Sequence, residues 1–183
     1  MRIHLVAALV ALYASTLATA VITWRLQKAA NPTSDQADAY TRIEAAMRLA
    51  VARYTRLATR PNKTITVQYV PGVQTSDGNF NGNIRFGTGR SYMTERTALH
   101  EIAHTLGVGT TRSFDVRCAK PNEEGWPSAT KLLKGWDGPK AKINCGGGHF
   151  WPYGLNYETE MNETSATRHC QMVDAMLGDG LGS

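Results

Sequence analysis

The sequence predicts a single α+β domain, and three observations support this fold class. Apolar residues at helical spacing predict one long amphipathic helix near the start of the domain and another near its end. Short runs of β-forming residues between them predict strands. About 160 residues follow an apolar N-terminal segment, which is enough for one hydrophobic core and too few for two. We expect the domain to span residues 31–183, with a small mixed or antiparallel sheet.

The N-terminal segment has the features of a secretory signal peptide. Arg2 supplies a short positive region, an apolar run begins at Leu5, and Ala18-Thr19-Ala20 resembles a small-residue cleavage site, which predicts a signal peptide over residues 1–20. The alternative is an uncleaved anchor extending to Trp24, because the apolar run is about as long as a bilayer-spanning helix. Hydroxyl side chains within the run favour the signal peptide. We therefore expect a secreted, extracellular protein that meets a membrane only if this segment is retained.

Charge and composition narrow the expected partners. The formal net charge is +5 at pH 7, and the basic residues form no dense run. Such a modest, dispersed charge favours solubility over nucleic-acid binding. We expect a monomer that does not bind nucleic acid.

The first half of the domain is predicted to hold one helix and two strands. Helical periodicity extends from Ser34 or Asp35 to about Leu57, and Pro61 follows its end. Residues 64–70 alternate β-formers and predict a strand. Residues 73–83 are rich in Asp, Asn and Gly and predict a polar loop, which leads into a second short strand at residues 84–86.

The next helix carries the most informative pattern in the chain, H-E-x-x-H. Thr94 can cap its start and Gly107 can end it. Residues four apart share one face of a helix, so His100 and His104 can bind the same metal ion, with Glu101 beside it. Zinc suits imidazole ligands, and a nearby carboxylate can act as a general base toward a water activated by the ion.

This helix resembles the active-site helix of the zincin metallopeptidases, in its metzincin form, in which a glycine corresponding to Gly107 follows the second histidine. The resemblance implies a zincin-like domain, zinc bound by His100 and His104, Glu101 as general base, and hydrolysis of peptide bonds in a peptide or protein substrate. The metzincin pattern places its third ligand three residues after that glycine. This chain has Thr110 there, and a neutral hydroxyl is a poor zinc ligand.

The region after the helix is predicted to be mostly irregular, with a short helix at residues 129–133 and a loop at residues 134–144. The three cysteines, Cys118, Cys145 and Cys170, include no C-x-x-C pair. One disulfide is expected in an oxidising compartment, and Cys118 with Cys145 is preferred because both lie in loop-like sequence. Cys170 would then remain a buried thiol.

A third metal ligand has to come from a more distant segment. His149 follows three glycines, which allow close backbone approach, and it lies 45 residues after His104. His169 falls within the predicted C-terminal helix, where a core histidine is the ordinary explanation. We predict His149 as the third ligand. The alternatives that stay open are His169 and four carboxylates, Asp115, Glu158, Glu160 and Glu163, because zinc also accepts His₂Glu sites.

The segment from His149 to Glu158, with Arg168-His169 further on, resembles a segment of small secreted H-E-x-x-H proteins, some of which carry β-trefoil lectin domains. This resemblance supports pairing the segment with the H-E-x-x-H helix in one site. It also makes Tyr153 and Tyr157 candidates to stabilise the oxyanion beside zinc, although a packed aromatic loop is the alternative for both. By the zincin resemblance, the strand at residues 84–86 would be a sheet edge that receives the substrate by strand addition.

Two other functions stay open at this point. The chain could be a noncatalytic secreted domain whose zinc is structural and which binds a protein or glycan. It could also be a zinc hydrolase of a nonpeptide amide or ester. A fourth protein ligand would indicate the first alternative, because it would close the coordination position that catalysis needs.

Overall fold

The computed structural model describes residues 20–120 and 122–183. Apart from Ala20, the predicted signal peptide lies outside these residues. Ala20 itself is buried, and its N–H donates to the Ala58 carbonyl at 3.2 Å. No helix within the described part of the chain is long and apolar enough to cross a membrane.

The predicted α+β class is confirmed, and the sheet is mixed. The strands are β1 (Val21–Gln27), β2 (Asn62–Tyr69), β3 (Ser76–Asn79), β4 (Asn83–Phe86), β5 (Asn144–Gly146) and β6 (His149–Trp151). The α-helices are α1 (Ser34–Leu57), α2 (Glu95–Leu106), α3 (Arg112–Cys118), α4 (Asn122–Gly125), α5 (Pro127–Asp137) and α6 (Glu163–Gly178). Short 3-10 turns occupy Arg90–Tyr92 and Glu158–Glu160.

The main sheet has the order β1-β2-β4-β3, in which β3 alone runs antiparallel to its neighbour. Strand β1 was not predicted, because its first four residues, up to Trp24, belong to the apolar run of the possible anchor. It pairs along its whole length with β2. The prediction that residues 84–86 form a sheet edge is wrong, since β4 lies between β2 and β3.

Helix α1 connects β1 to β2 and covers the sheet. Thr33 and Gln36 form a capping box at its start, in which each side chain binds the other residue's backbone N–H. Its buried face includes Ile43, Met47 and Tyr54, which join the core with residues of the sheet and of α2. This packing fixes α2 between α1 and β3.

Strand β3 corrects the prediction of a continuous polar loop over residues 73–83. An edge strand needs a partner on only one side, so polar residues can occupy it. A Cβ atom added to Gly78 would lie 2.6 Å from the Glu101 carbonyl oxygen, because the strand backbone packs directly on α2. In the sequence Gly78 indicates a loop, whereas in the structure it permits β3 to pack closely against α2.

The second half of the domain is more helical than predicted. Helix α5 extends through Asp137, so it covers part of the segment expected to be a loop, and α3 and α4 occupy sequence expected to be irregular. The predicted disulfide between Cys118 and Cys145 is present and ties the end of α3 to β5. Cys170 is a buried free thiol, as expected.

Candidate metal centre

Helix α2 holds His100 and Glu101 in buried positions and His104 in a half-buried one. The Thr94 side chain caps its first turn by accepting from the Thr97 N–H, and Gly107 ends it with φ of 122°. Only 9% of His100 and 4% of Glu101 is exposed. The two histidines lie one turn apart and open onto the same cleft.

Backbone carbonyls fix the orientation of both imidazoles. His100 Nδ1 donates to the Gly154 oxygen at 2.9 Å, and His104 Nδ1 donates to the Val108 oxygen at 2.7 Å. A carbonyl oxygen can only accept a hydrogen bond, so in a neutral ring Nδ1 carries the proton. The Nε2 atom then has a free lone pair. Burial is the main cause that lowers the pKa of both rings, which keeps them neutral.

The two free lone pairs face the same point. The Nε2 atoms of His100 and His104 are 3.1 Å apart, and neither can donate to the other when both rings are neutral. A cation between them would satisfy both nitrogens. Histidines that bind metal ions usually donate the N–H of their other ring nitrogen to a carbonyl or carboxylate, as both rings do here through Nδ1.

A glycine hairpin brings His149 to the same place. Gly147 and Gly148 join β5 to β6 with φ of 56° and 80°, the left-handed conformation that a tight two-residue hairpin turn requires. A Cβ atom on Gly109 would lie 2.0 Å from the Gly148 oxygen, so the hairpin tip packs against the turn after α2. The His149 ring stacks on His100 with centroids 5.1 Å apart.

The three histidines therefore form a cluster that could bind a metal ion. Each offers one ligand nitrogen, and these atoms lie within 4.8 Å of one another. Within residues 20–120 and 122–183, no fourth His, Cys, Asp or Glu belongs to the cluster.

The alternative ligands are engaged or located elsewhere. Glu158 pairs with Arg96, and Glu163 pairs with Arg53. Glu160 accepts from the Trp151 indole and from a backbone N–H, while Asp115 is an exposed residue of α3. His169 is fully buried and contacts the Tyr153 carbonyl through Nδ1 at 2.7 Å, so it is a core histidine.

Glu101 is anchored by a residue that the sequence analysis missed. Its Oε1 accepts from the Ser76 hydroxyl at 2.6 Å, whereas its buried Oε2 has no partner among the described residues. Burial raises the pKa of Glu101 to about 7, Asp77 adds to this increase, and the Ser76 bond and the Arg96 charge oppose it. Ser76 lies in the segment predicted to be a loop, where one serine among several polar residues carries no signal.

The two candidate tyrosines occupy different positions. Tyr157 is 63% exposed and lines the cleft. The Tyr153 hydroxyl donates to Asp137 at 2.8 Å and also contacts Arg168, so it lies in a polar cluster outside the cleft lining. The ring of Tyr153 packs against Trp136. The position of Tyr153 therefore does not suit the expected role of stabilising an oxyanion beside the metal.

The cleft has a volume of about 450 Å³ and is bounded on one side by β3. The Gly87 N–H donates to the Thr75 oxygen at 2.8 Å, which makes Thr75 and Gly87 a hydrogen-bonded pair. Such pairs alternate along an antiparallel ladder, so the main-chain groups of Ser76 and Gly78 point away from β4. The edge that faces open space is therefore β3.

The site combines three convergent imidazoles, one buried carboxylate and a cleft bounded by a free strand edge. These groups could bind a cation, move a proton and hold an extended chain. No protein-family model, curated protein or solved structure matches this chain.

Proposed function

We propose that this protein is a secreted, zinc-dependent metallopeptidase. The observation that carries the proposal is the convergence of two neutral Nε2 atoms beside the buried carboxylate of Glu101. Nitrogens bound to a tetrahedral zinc ion at 2.0–2.1 Å lie about 3.3 Å apart. The separation of 3.1 Å between His100 and His104 is close to that value.

The number of protein ligands favours a catalytic zinc site over a structural one. Structural zinc sites are usually closed by four protein ligands, whereas catalytic sites have three and keep one position open. Among the described residues, the cluster offers three possible ligands, which are His100, His104 and His149. All three histidines line the cleft, so a substrate in the cleft could reach an ion that they would hold.

In this proposal, Glu101 moves the proton during hydrolysis. Bound zinc would polarise the substrate carbonyl and lower the pKa of a water molecule. Glu101 would accept the proton of the attacking water and pass it to the nitrogen of the leaving amine. Ser76 holds one carboxylate oxygen, and the other has no partner in residues 20–120 and 122–183, so a single oxygen is available for this transfer. Burial raises the pKa of Glu101 in the metal-free chain, and a bound cation would oppose this increase and favour the ionised carboxylate that a general base requires.

The substrate that fits this cleft is an extended peptide. Ser76 and Gly78 direct main-chain groups away from β4, and an extended chain could pair with them by strand addition. Tyr157 stands at the cleft wall and is the tyrosine of the two that could donate to an oxyanion. The disulfide supports the proposed extracellular location, because such bonds persist in oxidising compartments.

The first test is the metal content of the purified chain and of the His149→Ala variant after the same dialysis. We expect about one zinc per parent chain and much less in the variant, since loss of one of three ligands weakens binding. A library of peptides and small amides and esters then identifies the reaction. We expect peptide cleavage that Glu101→Gln reduces by about 10²- to 10⁴-fold while keeping the zinc.

Each other outcome indicates a different function. Zinc without hydrolysis of any compound would favour the noncatalytic binding domain. Cleavage of amides or esters without peptide cleavage would favour the nonpeptide hydrolase. No zinc in the parent would contradict the metalloenzyme.

A further inference from the structure

Arg96 is a buried cation on the wall of the cleft with unused hydrogen-bond donors. It lies in the first turn of α2, one turn before His100, and only 6% of it is exposed. Its Nε donates to Glu158 Oε2 at 3.1 Å, and Nη1 donates to the Leu155 oxygen at 3.2 Å. Nη2 has no acceptor in the described part of the chain and is not fully buried, so a ligand in the cleft can reach it.

The charge of Arg96 is only weakly neutralised. Glu158, its one salt-bridge partner among the residues that the structure describes, has a side chain that is 62% exposed, so solvent screens this pair. Two other carboxylates in the cleft are engaged elsewhere, since Asp77 pairs with Arg85 at 2.6 Å and Glu101 accepts from Ser76. An arginine remains charged in a protein, and a buried charge is stable only with partners. Arg96 can therefore accept a further anionic partner.

The space for such a partner is a side pocket of about 240 Å³. Its lining residues are Ser91, Tyr92, Arg96, Asn156, Tyr157 and Glu158, and four of these also line the metal cleft. The two tyrosines are 38% and 63% exposed, so their phenol groups are accessible to a ligand. The pocket is thus continuous with the site of the proposed reaction.

The distance from Arg96 to the metal cluster defines which part of a substrate would reach it. Residues four apart on a helix have Cβ atoms about 6 Å apart, and Arg96 and His100 have this relation. An extended peptide advances about 3.4 Å per residue. Arg96 lines the same cleft as the three histidines and its guanidinium extends well beyond Cβ, so a group bound there would belong to a residue within a few positions of the bond at the metal.

We propose that Arg96 is a specificity-determining residue that binds a carboxylate of the substrate within a few residues of the cleaved bond. Planar guanidinium groups pair with carboxylates through two parallel hydrogen bonds, and the nearby phenols add donors. The carboxylate is either an acidic side chain or the free C-terminus of the peptide. This inference rests on the proposed peptidase function.

The test measures peptide binding by calorimetry to the zinc-loaded Glu101→Gln chain, in which turnover is suppressed. The peptides are blocked hexaalanines with one glutamate at each position in turn, the matching glutamine peptides, and hexaalanine with a free C-terminus. We expect about 10- to 100-fold tighter binding of one carboxylate peptide than of its neutral counterpart. A preference for an internal glutamate identifies a side-chain site, whereas a preference for the free end identifies a C-terminal site.

Three variants assign that preference to Arg96. Arg96→Gln should abolish it, because binding of the acidic peptide should fall to that of its neutral counterpart. Arg48→Gln removes the same charge from the exposed face of α1 and should retain the preference. Glu158→Gln removes the competing carboxylate and should strengthen binding of the acidic peptide several-fold, which tests the inference even if Arg96→Gln does not fold.

Equal binding of all charged and neutral peptides would overturn the inference, as would a preference that Glu158→Gln leaves unchanged. An equal loss for acidic and neutral peptides in Arg96→Gln would also overturn it. Cleavage of the same peptides by the parent chain separates the two proposals. Cleavage without a carboxylate preference contradicts the role of Arg96 alone, whereas an Arg96-dependent preference without cleavage contradicts the peptidase alone.

Discussion

The hydroxyl of Ser76 donates a hydrogen bond of 2.6 Å to Oε1 of Glu101, and so joins the edge strand β3 to the histidine-bearing helix α2. At Gly78 the backbone of β3 also packs against the backbone carbonyl of Glu101. This approach is possible only because residue 78 has no side chain. The strand proposed to bind the substrate therefore also positions the proposed general base. Binding and proton transfer are connected through one pair of residues.

Removal of the Ser76 hydroxyl should impair turnover more than metal binding. In Ser76→Ala, the buried carboxylate loses its only hydrogen-bond donor among the described residues, so its orientation is no longer fixed. We expect kcat to fall about 10-fold, which corresponds to a hydrogen bond to a charged group. Zinc content should remain that of the parent, and Ser76→Thr should restore part of the rate. An unchanged kcat in Ser76→Ala would contradict this role.

His169 should make the stability of the metal-free protein depend on pH. Burial lowers the pKa of His169 to about 4 in the folded chain, compared with about 6.5 in an unfolded one. Between these values the unfolded state binds more protons, so stability is fully present above about pH 6.5 and falls as pH decreases toward 4. The slope from this group reaches about 1.4 kcal/mol per pH unit.

The His169→Gln variant isolates that contribution. Its free energy of unfolding, measured with urea in the presence of a chelator, should decrease less steeply between pH 6.5 and 4.5 than that of the parent. His100 and His104, whose pKa values are also lowered, contribute equally to both proteins and cancel in the comparison. Equal slopes in the two proteins would show that His169 is not the neutral buried group described above.

The sequence predicted the parts of the site that depend on local spacing. H-E-x-x-H defines its own geometry once it lies on a helix, and the glycine run indicated a close backbone approach, so His100, His104 and His149 could all be named. The disulfide could be predicted because Cys118 and Cys145 lie in loop-like sequence, whereas Cys170 falls within a helical pattern. Helix α1 was predicted at nearly its observed bounds because its periodic face is long.

The features that the sequence did not predict depend on contacts between residues that are distant in the chain. Strand β3 is a strand because of its pairing with β4 and its contact with α2, and its polar sequence alone indicates a loop. The order of strands in the sheet, which makes β3 and not β4 the edge, has no local signal. Arg96 and Ser76 acquire their positions only when these elements come together, so neither could be recognised beforehand.

A side chain at Gly109 should weaken metal binding without unfolding the domain. In Gly109→Ala the new methyl group would meet the Gly148 oxygen, and φ of 62° at this position disfavours any side chain. The hairpin tip must move away from α2, which carries His149 out of the cluster. We expect the zinc dissociation constant to rise at least about 10-fold, as measured by competition with a chromophoric chelator.

Gly135→Ala is the matched control for that substitution. Gly135 lies inside α5, and a Cβ atom there would meet nothing within 4 Å. Alanine is favoured over glycine in a helix by about 0.5–1 kcal/mol, so this variant should keep the parent zinc affinity and gain thermal stability. If both alanine variants bound zinc as the parent does, the close contact between Gly109 and Gly148 would have no part in presenting His149.

Loss of the disulfide should reduce stability and metal affinity together, because the bond anchors the strand next to the ligand. Cys118 and Cys145 close a loop with a sequence separation of 27, and β5, which contains Cys145, pairs with β6, which begins at His149. The loop-entropy relation gives a loss of about 3.5 kcal/mol for the Cys118→Ser/Cys145→Ser variant in urea unfolding. Since zinc binds only the folded cluster, saturating zinc should restore part of this stability. Dithiothreitol should lower the stability of the parent and leave that of the double variant unchanged; an equal response in both would show that the disulfide does not support the hairpin.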